Sequence, residues 1–192
     1  MNDTNNPSDL FLPGLRRLDM IPATQAADLL ARFQCGQDVL DGWLATRAVT
    51  AERLGTARTF LLIGPDGTLD GYFCLSSATL MRDRLRRAAE RQGMPGHVPA
   101  ILLGRLAVAQ SLHGKGIGSI LLAYALEQAC RAAHGPAAAA MVLVHPIDAV
   151  ASRFYAKFDF RSIGGSEPAE AIEPAMYLPI SAAAKLVMVF RQ

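Results

Sequence analysis

The chain has 192 residues, 51% of them hydrophobic and 19% charged, with a formal net charge of +2. That length suits one domain with a proper core, and so small a charge does not by itself argue for a nucleic-acid partner. Mean hydropathy is +0.21, but alanine supplies much of it and no apolar run approaches a spanning helix, so no membrane partner is expected.

The opening stretch from Met1 to Pro7 is polar, with neither a basic n-region nor an apolar h-region. Export is therefore not expected, a cytoplasmic location is, and residues 1–14 are read as disordered. Residues 15–192 are read as one domain. Leu15 to Leu18 forms a first short strand, and Thr24 to Phe33 has helical spacing. After a break at Gln34-Cys35-Gly36, a second helix is predicted from Gln37 to Leu54, stopped by Gly55. Thr59 to Ile63 and Gly71 to Leu75 read as strands around the turn signal Gly64-Pro65-Asp66-Gly67. Five arginines, Arg82, Arg84, Arg86, Arg87 and Arg91, then fall within ten residues on a helix or loop. Ile101 to Val108 is a strong strand, followed by a glycine-rich turn and a helix from Ile117 to Ala133. The apolar run from Ala137 to Val144 holds a buried strand at Met141 to Val144. A short helix from Ala149 to Lys157 follows, and Ser162-Ile163 and Met176 to Ile180 close the sheet. This order implies an α+β fold, one sheet with helices on both faces.

Cys35, Cys74 and Cys130 are odd in number and form no CxxC pair, as expected of reduced, buried thiols. His97, His113, His134 and His145 are scattered without ligand spacing, so no metal is expected.

The sharpest local signal is the run His113-Gly114-Lys115-Gly116-Ile117-Gly118 between a strand and a helix. A helix N-terminus presents unpaired N–H groups and a partial positive charge, and glycines let a pyrophosphate approach the backbone. A Walker loop is excluded because Lys115 is followed by Gly116 rather than Ser or Thr. A dinucleotide fingerprint starting at Gly114 would need glycine where Ser119 stands. Taken alone, the turn reads either as a phosphate cradle or as a tight strand–helix connection. It is similar to the acetyl-CoA motif Q/R-x-x-G-x-G/A of GNAT acetyltransferases, with Gly116 and Gly118 at the two glycine positions. His113 stands where Gln or Arg is usual, and either donates to a phosphate or caps the turn.

From Leu15 to Ile180 the chain resembles the GNAT-fold toxins of type II toxin–antitoxin pairs, the TacT-like family. The matching pieces are ordered along the chain: Phe33-Gln34-Cys35-Gly36 with Leu40 and Trp43-Leu44; Ala57-Arg58-Thr59-Phe60; Gly71-Tyr72-Phe73. They continue with Leu103-Gly104-Arg105-Leu106-Ala107-Val108, Leu143-Val144-His145 and the run from Phe154 to Phe160. Where the family usually has glycine this chain has Asp159, a residue that tolerates left-handed backbone.

The resemblance implies the GNAT (acyl-CoA N-acyltransferase) fold, with a mixed, mostly antiparallel sheet. It also implies acetyl transfer from acetyl-CoA to the α-amine of aminoacyl-tRNA, which blocks translation, together with a homodimer and a ribbon-helix-helix antitoxin. Tyr155 matches the family's catalytic tyrosine; the alternative, from its surroundings alone, is a core aromatic beside Phe154, Phe158 and Phe160. Backbone N–H groups of Leu106, Ala107 and Val108 are the candidate oxyanion donors. His113, Gly114, Lys115, Gly116, Ile117 and Gly118 are the candidate pyrophosphate loop, and Ser152 and Phe154 the candidate lining of the pantetheine arm. The five arginines read as a solvated face or as contacts to tRNA phosphates. No aromatics are interleaved with them, which points away from base stacking. The competing readings are a GNAT enzyme acting on a small amine or a protein N-terminus, and a GNAT-like binding module without turnover.

Overall fold

The computed structural model of the chain describes residues 14–135, 138–165 and 173–190. The segment expected to be disordered lies outside them except for Gly14, as does Ala137 of the apolar run.

In chain order the elements are β1 (Leu15–Arg17), α1 (Ala23–Arg32), α2 (Asp38–Thr46), α3 (Ala48–Leu54), β2 (Arg58–Ile63) and β3 (Leu69–Met81). They continue with α4 (Ala88–Arg91), β4 (His97–Val108), α5 (Ile117–Ala133), β5 (Met141–Val144), α6 (Ala149–Ala156), β6 (Arg161–Ser162), β7 (Met176–Pro179) and α7 (Ile180–Phe190). The strands follow the order β1-β2-β3-β4-β5-β7-β6. β1 runs antiparallel to β2, β5 to β7 and β6 to β7, and β4 runs parallel to β5. The sheet is therefore mixed and mostly antiparallel. No helix among the described residues is long and apolar enough to cross a membrane.

The chain divides into two compact units, Met1–Cys74 with Arg105–Leu121, and Leu75–Gly104 with Leu122–Gln192. In the first unit, Ala26 and Leu30 of α1, Leu40 and Leu44 of α2, Leu61, Leu69, Tyr72 and Ala107 form a buried cluster. The single helix expected from Gln37 to Leu54 is two. Arg47 between them opens to φ −119° and ψ −27°, where α2 ends and α3 restarts at Ala48, and Thr46 Oγ1 beside it donates back to the Gly42 carbonyl at 2.7 Å. Glu52 of α3 is buried. It accepts the Thr59 N–H at 2.8 Å and pairs with Arg58 at 3.0 Å, fastening α3 to β2.

In the second unit, Leu80, Leu85, Val98, Ala100, Met141, Leu143, Ile163, Ala175 and Tyr177 form another cluster. The ladder of β4 with β5 runs from Ala100↔Met141 to Leu103↔Val144 and ends there; Leu106, Ala107 and Val108 lie beyond it in sequence. The last strand is expected to end with Ile180. The strand instead ends at Pro179, and Ile180 opens α7, its N–H donating to the Ala140 carbonyl at 2.9 Å.

Candidate active site

β4 ends at Val108, and a short 3-10 turn over Gln110–Leu112 leads into the glycine run. Gly114 and Gly116 take φ of 76° and 82°, the left-handed region that an L side chain rarely adopts. A Cβ built on either would meet no atom within 4 Å. Both positions thus face open space, which suits the close approach of a phosphate to the backbone. The Gly116 carbonyl accepts from Ser119 N–H at 3.0 Å and Ile120 N–H at 3.3 Å, so Gly116 is where α5 begins, with Ile117 and Gly118 in its first turn. Lys115 is exposed.

His113 uses its ring within the turn. Its Nε2 sits 2.9 Å from the Val108 carbonyl, and since a carbonyl only accepts, Nε2 carries the proton. The ring thereby ties the end of β4 to the glycine run. Nδ1 is left as the ring's acceptor when the imidazole is neutral.

The run from Arg105 to Val108 is held from several directions inside the first unit. The Arg105 guanidinium lies 4.1 Å from the Trp43 ring centroid, a cation–π contact of about 0.5–2 kcal/mol. Trp43 stacks on Tyr72 with centroids 6.2 Å apart, and Tyr72 donates to the Leu40 carbonyl at 2.9 Å. Burial pushes the Tyr72 phenol far above its ordinary range, so it serves as a neutral donor. On the neighbouring strand, a Cβ at Gly71 would come within 2.8 Å of the Ala107 carbonyl, and the Ala109 N–H donates to the Asp70 carbonyl at 2.8 Å. Gly71→Ala should therefore force the backbone apart and cost about 1–3 kcal/mol. Chemical denaturation of the variant checks this, and unchanged stability would show that the strands separate freely.

The signature Phe33-Gln34-Cys35-Gly36 docks on the residues leading into the turn. Gln34 accepts the Gln110 N–H at 3.0 Å, and the Gln110 side chain lies about where a Gly36 side chain would reach, 3.5 Å from a built Cβ. Cys35 N–H donates to Asp41 at 2.9 Å, and burial together with that carboxylate raises the Cys35 thiol to about 12. It is held as a thiol rather than a nucleophile.

In the second unit, Asp148 caps α6 by accepting the Ala151 N–H at 2.7 Å. Tyr155, 8% exposed, sits near the end of that helix, its ring 5.3 Å from Phe154 and 5.4 Å from Phe160. The helix stops where expected: Asp159 takes φ of 62°, and Phe158 N–H and Phe160 N–H donate to the Tyr155 carbonyl at 2.9 and 3.3 Å. Ser152 donates its hydroxyl to Glu173 at 2.8 Å, which commits its proton to a carboxylate. Phe154 is half-buried. Tyr177, also buried, has its hydroxyl bonded to Glu90 at 2.7 Å, and Tyr124 is raised to about 12 by burial within α5.

The arginine run folds as a 3-10 turn over Arg82–Arg84 and the short α4. Arg82 donates to the Met94 carbonyl at 3.2 Å, Arg91 to the Leu85 carbonyl at 2.9 Å, and Arg86 to the Ser162 carbonyl at 2.9 Å. Arg84 is half-buried and Arg87 exposed. The run is therefore braced at three side chains rather than wholly solvated. The Arg105–Trp43 stack, the Ser152–Glu173 pair and the Tyr177–Glu90 pair carry no sequence signal, because each joins residues far apart in the chain. Among the described residues no group of three or more His, Cys, Asp or Glu is placed to hold a metal ion.

The acetyltransferase (GNAT) domain model matches residues 83–162. The chain is similar to the tRNA-acetylating toxin of Mycobacterium tuberculosis (strain ATCC 25618 / H37Rv), at 37% identity over 135 residues, 70% of this chain and 79% of that protein. It is similar in structure to AtaT complexed with acetyl-methionyl-tRNAfMet, with a TM-score of 0.76 at 27% identity over 90% of this chain and 97% of that one. A tyrosine-to-phenylalanine mutant of AtaT, bound to the C-terminus of the antitoxin AtaR and acetyl-CoA, gives a TM-score of 0.67 at 26% identity, covering 93% and 99% of the two chains. With the glycine turn, the mixed sheet and this identity in place, the chain belongs to the GNAT-fold tRNA-acetylating toxins.

Proposed function

We propose that this chain transfers the acetyl group of acetyl-CoA to the α-amine of an aminoacyl-tRNA and thereby arrests translation. The identity with the tRNA-acetylating toxin carries this reading, and the open, left-handed glycines of the turn support it as the place for the pyrophosphate.

The reaction is aminolysis of a thioester. A free α-amine has a pKa of about 7.7–8.0, and esterifying its carboxyl lowers it, so a useful fraction attacks as the neutral amine without a strong base. The new N–C bond forms as the carbonyl becomes an oxyanion, stabilised by backbone N–H groups of Leu106, Ala107 and Val108. As the oxyanion collapses the C–S bond breaks and the Tyr155 phenol protonates the departing CoA thiolate, and the one proton shed by the attacking amine passes by way of solvent to the phenolate and restores the phenol. Gly114, Gly116 and the first turn of α5 receive the pyrophosphate, with Lys115 beside them, while His113 fastens the turn. Ser152 and Phe154 line the pantetheine arm, and the arginine run meets the phosphates of the acceptor arm. A cytoplasmic homodimer neutralised by a ribbon-helix-helix antitoxin completes the reading.

Incubation with charged tRNAs and labelled acetyl-CoA tests it. The label is expected on the α-amine of the released amino acid, with translation blocked only when acetyl-CoA is present. Label confined to small amines or protein N-termini would replace this reading with that of an ordinary GNAT enzyme. No transfer and no acetyl-CoA binding would leave a binding module.

A further inference from the structure

The arginine run has little to hold it by itself. Leu85 is its one fully buried side chain, and its two helical pieces span three and four residues, far short of a helix stable by itself. Five like charges also repel one another. What fixes the run is a clasp onto β6 and β7. Tyr177 of β7 has no exposed surface, and its hydroxyl is used on both sides: it accepts the Arg86 backbone N–H at 2.9 Å and donates to Glu90 Oε2 at 2.7 Å. The other Glu90 oxygen pairs with Arg161 of β6. Arg86 returns to the same strand, Nε donating to the Ser162 carbonyl at 2.9 Å, and the Gly164 N–H donates to the Arg84 carbonyl at 2.7 Å.

We propose that Tyr177 and Glu90 are positioning residues that hold Arg84, Arg86 and Arg87 in the arrangement that engages tRNA phosphates, and so set the preference for tRNA over free amines. This rests on the aminoacyl-tRNA reading above. The position of Glu90 points the same way. A carboxylate among arginines weakens the local positive field, so its contribution to phosphate binding is through geometry and not charge. Its two oxygens take one partner each from β7 and β6, which fixes the direction in which the run leaves the sheet. A run ordered in advance loses less conformational freedom when tRNA docks, and the saving appears in binding of the long substrate alone.

Tyr177→Phe and Glu90→Gln nearly keep side-chain volume; the first removes both bonds of the hydroxyl, and the second removes the carboxylate charge that faces Arg161. Steady-state rates are measured with a full aminoacyl-tRNA and with an aminoacyl-adenosine that carries the same amine but lacks the acceptor-arm phosphates. Either variant is expected to raise KM for the tRNA about tenfold and flatten its salt dependence, with kcat, KM for acetyl-CoA and turnover of the short acceptor unchanged. Wild-type KM for the tRNA in both variants overturns the proposal, as does an equal loss on both acceptors, which would mark a general structural role. The double variant Arg84→Ala with Arg87→Ala separates the two levels. If it also binds tRNA as wild type does, the arginine reading falls and the clasp with it. If it loses affinity while the clasp variants do not, the clasp alone falls.

Discussion

Replacing Tyr155 with phenylalanine is expected to lower turnover about a hundredfold or more while leaving acetyl-CoA affinity within about twofold. Phenylalanine keeps the ring that packs 5.3 Å from Phe154 and 5.4 Å from Phe160, so α6 and its aromatic neighbours stay in place. What disappears is one O–H. The departing thiolate belongs to a thiol of pKa about 8.5, and a phenol ordinarily titrates near 10. A phenol thus keeps its proton until the C–S bond begins to break, then shares or gives it to sulfur. In the proposed mechanism, with the proton donor gone, the C–S bond must then break to a bare thiolate, and the barrier rises. Single-turnover transfer to aminoacyl-tRNA measures the loss, and calorimetry with acetyl-CoA measures what is retained. An unchanged transfer rate removes Tyr155 from the mechanism.

The second large effect is expected at Gly116. Its φ of 82° is left-handed, and a β-branched side chain there costs about 1–2 kcal/mol in backbone strain before any ligand is considered. No protein atom lies within 4 Å of a built Cβ, so the first added carbon meets open space. On the proposed reading of the turn, the added side chain would stand where the pyrophosphate has to come. Gly116→Val is therefore expected to weaken acetyl-CoA binding about tenfold or more, with a smaller loss for Gly116→Ala. Isothermal titration with acetyl-CoA reads both. Wild-type affinity in Gly116→Val would show that the phosphates sit elsewhere.

Elements with their own local signal could be read from the sequence. α5 and β5 occupy the predicted bounds, because glycines mark the start of one and an apolar run ending at His145-Pro146 closes the other. The Asp159 stop was legible for the same reason: a short polar side chain tolerates the left-handed turn. The break between α2 and α3 was hidden because it lies in the backbone of one residue, Arg47, and no glycine or proline marks it. α7 was missed because Ser181 and Lys185 are the only polar residues from Ile180 to Phe190, so the helix merges in sequence with the apolar strand before it. The division into two compact units left no mark either. Its crossing points fall inside β3, β4 and α5, where regular structure continues and no linker composition appears. The glycine turn was legible as a phosphate cradle, yet the contacts that steady it come from Gln34 and Arg105–Trp43, which only folding brings together.

The bond from Gln110 N–H to the Gln34 carbonyl also bears on the order in which competence is acquired. Residues so far apart in the chain meet only after a long loop has closed, and such closures are slow relative to helix formation. α5 can wind early and His113 can close on Val108 locally, but the bond to Gln34 that completes the fastening of the turn waits until Phe33 to Gly36 arrives. A refolding chain should accordingly regain helical signal before it regains acetyl-CoA binding. For a protein whose activity would harm the cell that makes it, that delay leaves an interval in which the chain exists but cannot yet load its cosubstrate.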